Sequence, residues 1–305
     1  MPGPTAGSRR ARVKRFVHWL LAERHRYVIL AVVTAPLLTT VSAALVGLGT
    51  ARGGVSQGLV GATLGVGALA LLALAVRADV AVFALQGSIS FGAGLALGGL
   101  IRRAGNLVLS FQTTVLASLL GVVALSLLWP DMRAALSPVI DDVTQVLRSS
   151  GAEDAQIAWL EGQGGVMLLI GAAFSQVVLA LLLTYWWLTL AGPERRFGAE
   201  FRRLKLGRVL GATATLVMAL ALVFGSPLVQ NLLPLALGSF ALQGLAVLHA
   251  WAHAKRWHPA LVAPAYVLLV TPPTFMLAVF VLGTMGLVDN WFNLRASLRP
   301  PVSRE

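Results

Sequence analysis

The sequence predicts an all-α fold: a polytopic integral membrane bundle of about eight hydrophobic segments, edged by short interfacial amphipathic helices. Of its 305 residues, 57% are hydrophobic and 12% charged, about half the charged share that a soluble domain spreads over its surface. The charges are also clustered. Runs free of Asp, Glu, Lys and Arg cover 27–51, 53–76, 80–101, 104–130, 162–193, 209–254 and 257–288, and a spanning helix needs about 20 apolar residues. Between the runs, the polar stretches change sign from basic to acidic to basic.

The N-terminal stretch 1–26 carries Arg9, Arg10, Arg12, Lys14, Arg15, Arg24 and Arg26 against Glu23. Within it Val13, Phe16, Val17, Leu20 and Leu21 fall at helical spacing with Arg12, Lys14 and Arg15 between them, which predicts a basic amphipathic helix on the membrane surface. A first membrane block, 27–129, holds segments at 27–49, 55–76, 79–101 and 106–129. The first of these is longer than the 7–15-residue core of a signal peptide and is followed by more membrane segments, so an uncleaved helix is expected. Residues 130–164 carry Arg133 and Arg148 against Asp131, Asp141, Asp142, Glu153, Asp154 and Glu161. There Met132, Leu136, Val139, Ile140, Val143 and Leu147 predict an amphipathic helix with an acidic polar face. A second block, 165–295, holds segments at 165–191, 209–226, 230–254 and 260–287, the middle two separated near Gly225-Ser226-Pro227. Its loop 192–208 has six Lys/Arg, with Phe197, Phe201 and Leu204 as a further interfacial face. A short tail, 296–305, follows.

Basic short loops stay in the cytoplasm, which assigns the N-terminus and 192–208 to the inside and 130–164 to the outside. That requires an odd number of crossings before residue 130, where four segments stand. The irregular one is expected to be 27–49, which contains Pro36 and has Arg on both sides. It either dips in and returns or splits into two short tilted helices. Pro272-Pro273 interrupts the last segment in the same way and leaves the side of the C-terminus open.

Several chemistries are excluded. Without cysteine there are no disulfides, thiolate metal sites or Cys nucleophiles. None of the three lysines, Lys14, Lys205 and Lys255, stands in a phosphate-loop context, so the chain is not itself an ATPase. His249 and His253 share a helix face and His258 follows, but no further ligand accompanies them, and no metal or other cofactor is expected. There is no nucleophile elbow and no intramembrane-protease motif, so no catalytic residues are expected and the chain reads as a non-enzyme. The Arg-rich tail lacks the context of a nucleic-acid-binding motif.

Small and uncharged polar residues remain. Gly54/Gly58, Gly61/Gly65, Gly94/Gly98 and Ala31/Ala35 have the small-x-x-x-small spacing that lets helix backbones approach, either inside one bundle or against a second membrane subunit. Gln86, Ser90, Gln112, Gln176 and Gln243, with Ser88, Thr113, Thr114, Ser175 and Ser239, lie in apolar segments. An amide in hydrocarbon is costly without a partner, so these face the interior, either to bond neighbouring helices or to line a pocket for a neutral ligand. Asp289, beside Trp291 and Phe292 and six residues before Arg295, is expected to anchor the end of the last helix at the membrane boundary.

The second half also carries a resemblance. Tyr185-Trp186-Trp187 leads to Phe197-Gly198-Ala199-Glu200-Phe201-Arg202-Arg203-Leu204-Lys205-Leu206. Gln243-Gly244-Leu245-Ala246-Val247-Leu248-His249 follows, and then the stretch from Leu282 through Gly286, Asp289 and Trp291 to Arg295. In order and spacing these blocks resemble the YybS-like family of polytopic bacterial membrane proteins. The chain departs at Gly192-Pro193-Glu194-Arg195-Arg196-Phe197, where relatives carry a Pro-Gly-Gly-Phe-like lead-in. The resemblance implies an inner-membrane protein, distantly similar to the substrate-capture subunits of energy-coupling-factor transporters. Such subunits bind a small molecule within a helical bundle and dock onto a separate membrane coupling protein with ATPases.

Two expectations follow. One is a transporter-like binding subunit with a pocket at Gln86, Ser90, Gln112, Gln176 and Gln243. The other is a membrane scaffold acting through its basic surfaces. A water-accessible cavity at the glutamines favours the first, and a solid bundle with every amide bonded favours the second.

Overall fold

A computed structural model describes residues 15–20, 22–192 and 197–296. The expected features at 1–14, Leu21, 193–196 and 297–305 lie outside the described residues, as does the side chain of Gln86. Among the described residues the chain is helical, without strands. Following the short helix at 15–20, the elements are α1 (Arg24–Thr34), α2 (Thr39–Gly53), α3 (Val55–Ala75), α4 (Val80–Ala104) and α5 (Leu107–Leu128). Then come α6 (Met132–Ser149), α7 (Asp154–Trp159), a π-turn (Leu160–Gly164), α8 (Gly165–Ala191) and α9 (Phe197–Phe201). The last are α10 (Gly207–Val223), α11 (Pro227–Ala254), α12 (Ala263–Val270) and α13 (Pro272–Phe292).

Six helical stretches are long and apolar enough to cross a membrane, against the eight segments expected: Val55–Ala75, Phe83–Ala104, Leu107–Leu128, Asp154–Ala191, Pro227–Ala254 and Pro273–Phe292. Proline accounts for two of the differences. Pro36 lacks an N–H and splits 27–49 into α1 and α2, while the Pro272-Pro273 pair begins α13 afresh after an extended Thr271. The expected segment 209–226 is the 17-residue α10, shorter than a full span. Three of the six long helices precede residue 130.

The chain forms two compact units. The first comprises residues up to 111 together with 176–201, and the second 112–175 together with residues from 202 on. In the first unit α2 is the core, with every residue from Ser42 to Thr50 buried. Its Gly and Ala surface admits α4 at backbone contact. A Cβ at Gly94 would meet the carbonyl oxygen of Ala43, and one at Gly98 that of Gly47. The offset of 51 residues is the same at both contacts, so α2 and α4 run parallel. On that register Leu38, at the start of α2, lies level with Ile89, near the middle of α4.

Helix α1 returns antiparallel to α2: Ser42 Oγ donates to the carbonyl of Ala31 (2.5 Å), and the Tyr27 ring lies over Gly49. At the turn, the N–H groups of Leu37 (3.2 Å) and Leu38 (2.7 Å) both reach the carbonyl of Thr34. α1 and α2 therefore form a helical hairpin that rises halfway along α4 and comes back. Its tip is apolar and exposed, with Leu37 at 86%. Thr184 of α8 secures α2 by donating to the carbonyl of Ala44 (3.1 Å). Of the N-terminal amphipathic residues, Val17 and Leu20 are buried, while Phe16 and Trp19 stack on each other and face outward.

In the second unit α11 is the long axis. Near its N-terminal end, Asn231 accepts from Gln163 Nε2 (2.6 Å) and donates to the Met132 sulfur (3.5 Å), tying down the acidic segment. Within α6, Ile140 is buried and Asp141 and Asp142 are exposed as expected, but Val139 points outward. Asp131 caps α6 by accepting from the N–H of Ala134 (2.9 Å). α11 and α13 meet backbone to backbone, since Gly244 faces the carbonyl of Leu282 and Gly286 that of Phe240.

These approaches tolerate no side chain. Gly94→Ala and Gly244→Ala should each destabilise the protein by about 1–3 kcal/mol through overpacking. Gly92→Ala, with nothing within 4 Å of its Cβ position, should not. Thermal melting in detergent separates the three.

Candidate functional site

The densest polar cluster lies in the second unit, where α11 and α13 hold the segment 202–207. Gln243 and Asp289 are both fully buried. The Gln243 side chain donates from Nε2 to Asp289 Oδ2 (2.8 Å) and accepts at Oε1 from the N–H of Leu206 (3.0 Å). Asp289 also accepts at both oxygens from Arg295, Nε to Oδ1 at 3.1 Å and Nη2 to Oδ2 at 2.6 Å. Its remaining reach lets the same guanidinium donate to the carbonyls of Arg202 (2.6 Å) and Leu204 (3.0 Å). Gln112 Nε2 donates to the carbonyl of Lys205 (2.8 Å), and Asn290 Nδ2 to that of Gly207 (3.2 Å).

The local sequence explains this geometry. α13 ends at Phe292, and Asn293 takes a left-handed conformation (φ 50°) that turns the chain back. Its N–H returns to the carbonyl of Asp289 (2.9 Å), which brings Arg295 beside the carboxylate. A guanidinium suits the position because its planar fork matches a carboxylate with two bonds and leaves donors for carbonyls. On the other partner, Gly207 begins α10 in a left-handed conformation (φ 81°) that favours glycine. Burial, and then the charge of Arg203, lower the pKa of Arg202 from its ordinary value. The end of α13 thus shares one side of this unit with 202–207.

Among the residues expected to line a pocket, those with described side chains fall into two groups. Gln112 and Gln243 both engage the 205–206 backbone. In the first unit Gln176 Nε2 donates to Ser90 Oγ at 3.3 Å, and Ser90 is buried. Gln86 lies on α4, one turn before Ser90. A cleft in the second unit between Ile140, Val143, Leu160, Gly165, Leu168 and Leu169 is apolar and holds about 10 Å³, near the room of one water.

The small residues lie inside the first unit. Ala31 and Ala35 are fully buried, Gly58 meets Thr50 and Leu95, Gly65 meets the Phe91 ring, and Gly61 faces Val46 and Val28. Gly54, at φ 88° between α2 and α3, faces Arg102. His249 pairs with the Tyr266 hydroxyl (2.6 Å). Among the described residues no three His, Asp or Glu side chains could hold a metal.

Sequence reasoning missed Asn290, Asn231 and Glu200. Glu200 accepts from the N–H of Leu107 (2.6 Å) and so caps α5 from 93 residues away. The signal available was chemical: polar residues in or beside apolar runs need partners.

Arg295→Ala would strand the buried Asp289 carboxylate and should cost about 3–5 kcal/mol, whereas Asp289→Asn together with Arg295→Ala should cost less. Equal melting temperatures for the single and double variants would refute the pairing.

Compared with known proteins, the chain matches no family model, no curated protein and no solved structure.

Proposed function

We propose that this chain is a non-enzymatic, multi-pass protein of the bacterial inner membrane that serves as a scaffold, presenting a fixed basic surface at the cytoplasmic edge. The observation that carries this reading is that Gln243, Gln112, Asp289 and Arg295 are all engaged in immobilising the backbone of 202–207. An amide reserved for a ligand would be left facing an open cavity.

In this reading the N-terminus and 192–208 face the cytoplasm and 130–164 the outside. The α1–α2 hairpin is re-entrant, because each arm is shorter than the roughly 30 Å hydrocarbon layer. α3, α4 and α5 then supply the odd number of crossings that the charges demand. The C-terminal end of α13 lies on the cytoplasmic side, held to the basic loop by Arg295.

A second reading, a transporter-like binding subunit working with a separate coupling protein that carries ATPases, follows from the YybS-like resemblance. It is favoured at one place, the Gln176–Ser90 pair. That bond is long (3.3 Å) and part-buried, so a small neutral ligand could displace it at little cost.

Reporter fusions test the topology: a periplasm-active reporter should signal after residue 150 and stay silent after residue 26 and after residue 206. Signal after 206 but not after 150 would invert the arrangement. Native mass spectrometry of gently purified protein, with melting temperatures of Gln243→Ala and Gln176→Ala, tests the role. The scaffold reading expects no stoichiometric small molecule other than membrane lipid and a loss of about 1 kcal/mol or more for Gln243→Ala. A retained ligand that Gln176→Ala releases without a change in melting temperature would favour the binding subunit.

A further inference from the structure

α11 separates the charges of the second unit along one axis. Its Asn231 end holds the acidic segment, and six of that unit's carboxylates among the described residues lie within 131–161. The opposite end, from Gln243 to Ala254 and beyond, carries Arg203, Lys205, Arg208, Lys255 and Arg256. The one carboxylate of this unit described at that end, Asp289, is fully buried with both oxygens taken, so it cannot neutralise them. Arg203, Arg208, Lys255 and Arg256 are exposed and, among the described residues, have no carboxylate partner.

Two further features bear on what meets these cations. First, Arg203, Lys205 and Arg208 project from a backbone fixed at Arg202, Leu204, Lys205, Leu206 and Gly207 by side chains of α5, α11 and the end of α13. The charges are therefore preorganised rather than carried on a wandering loop. Second, Lys255 lies over the Trp257 ring (5.8 Å) just beyond the end of α11, and Trp291 donates to Thr215 Oγ1 (3.3 Å) near the end of α13. Tryptophan beside lysine and arginine at the end of an apolar helix marks head-group depth.

We propose that this end of the second unit is a docking surface for the phosphodiester head groups of anionic phospholipids, with Arg203, Lys205, Arg208, Lys255 and Arg256 as its cations. The inference rests on the membrane reading above but not on the scaffold role or on which side the loop faces. Each such cation near an anionic surface contributes about a fivefold preference, so several together select lipid charge.

The test is native mass spectrometry of the full chain in neutral detergent with equal amounts of phosphatidylglycerol and phosphatidylcholine. Phosphatidylglycerol should be retained at least tenfold over phosphatidylcholine. The variant Arg203→Gln/Arg208→Gln/Lys255→Gln/Arg256→Gln should lose that preference. The charge-keeping variant Arg203→Lys/Arg208→Lys/Lys255→Arg/Arg256→Lys should keep it, which separates loss of charge from loss of fold. Equal retention of the two lipids, or undiminished preference in the glutamine variant at an unchanged melting temperature, would overturn the proposal. So would displacement of the lipid by millimolar inorganic phosphate, which would indicate a site for free anions. Because the assay is indifferent to orientation, its failure beside intact reporter topology would remove this surface alone.

Discussion

Inside hydrocarbon no water is available to a backbone N–H or C=O, so every departure from helix must find its partners within the chain. Polar backbone groups at two irregular parts of this protein are partnered within the chain. At the tip of the α1–α2 hairpin, Pro36 brings no N–H to satisfy, and the carbonyl of Thr34 receives two donors, Leu37 and Leu38. Ser42 and Thr184 then reach the carbonyls of Ala31 and Ala44 from neighbouring turns and helices. The Gly and Ala content of α2 follows from the same need. A Cβ at Gly47 would meet the Thr184 hydroxyl, so the bare backbone there is what lets Thr184 reach the Ala44 carbonyl.

At 202–207 the non-helical backbone is longer, and short hydroxyls would not suffice. Gln112, Gln243, Asn290 and Arg295 take over, each reaching several ångströms to a carbonyl or N–H. Asp289 sits behind them as the counter-charge. Buried ion pairs contribute little net stability in general, but removing one member leaves an uncompensated charge. The pair therefore enforces a geometry: the end of α13 and the basic loop cannot separate without exposing that charge to apolar surroundings. Asp289 and Arg295 are only six residues apart, whereas their targets at Arg202 and Leu204 lie more than 90 residues away. A local turn at Asn293 thereby fixes a distant loop.

The sequence made the membrane character legible because charge placement is a one-dimensional signal. Each of the six apolar helices overlaps one of the eight expected segments, and the counting argument singled out 27–49, the stretch that the structure breaks at Pro36. What it left open was the form of the break. α2 is buried all round and so has no polar face to give a helical period, and Ala- and Gly-rich runs look alike whether they cross or return. The partners of the amides were also illegible. Gln243 and Asp289 are 46 residues apart, Gln112 and Lys205 are 93 apart, and neither spacing carries a motif. The partner of Asn290, the carbonyl of Gly207, is 83 residues away and equally without a motif. The face of α6 was readable from its period except at Val139, which a strict apolar count places inward and the structure leaves exposed.

The two functional readings differ in which glutamine is free to bind something else. A ligand approaching Gln243 would have to replace both the Leu206 N–H and the Asp289 carboxylate. Leaving a buried group unsatisfied costs about 1–3 kcal/mol, and more when the group is charged. Recognition at Gln243 would therefore release the loop that the same residue fixes, so ligand binding and loop fixation exclude one another there. Gln112 is bound by a similar argument, since its partner is the carbonyl of Lys205 in that loop. Gln176 is different: its partner is the hydroxyl of Ser90, a group that can turn and accept from or donate to a newcomer without disturbing any backbone. Of Gln243, Gln112 and Gln176, Gln176 in the first unit is thus the one whose partner is a side chain and not the 205–206 backbone.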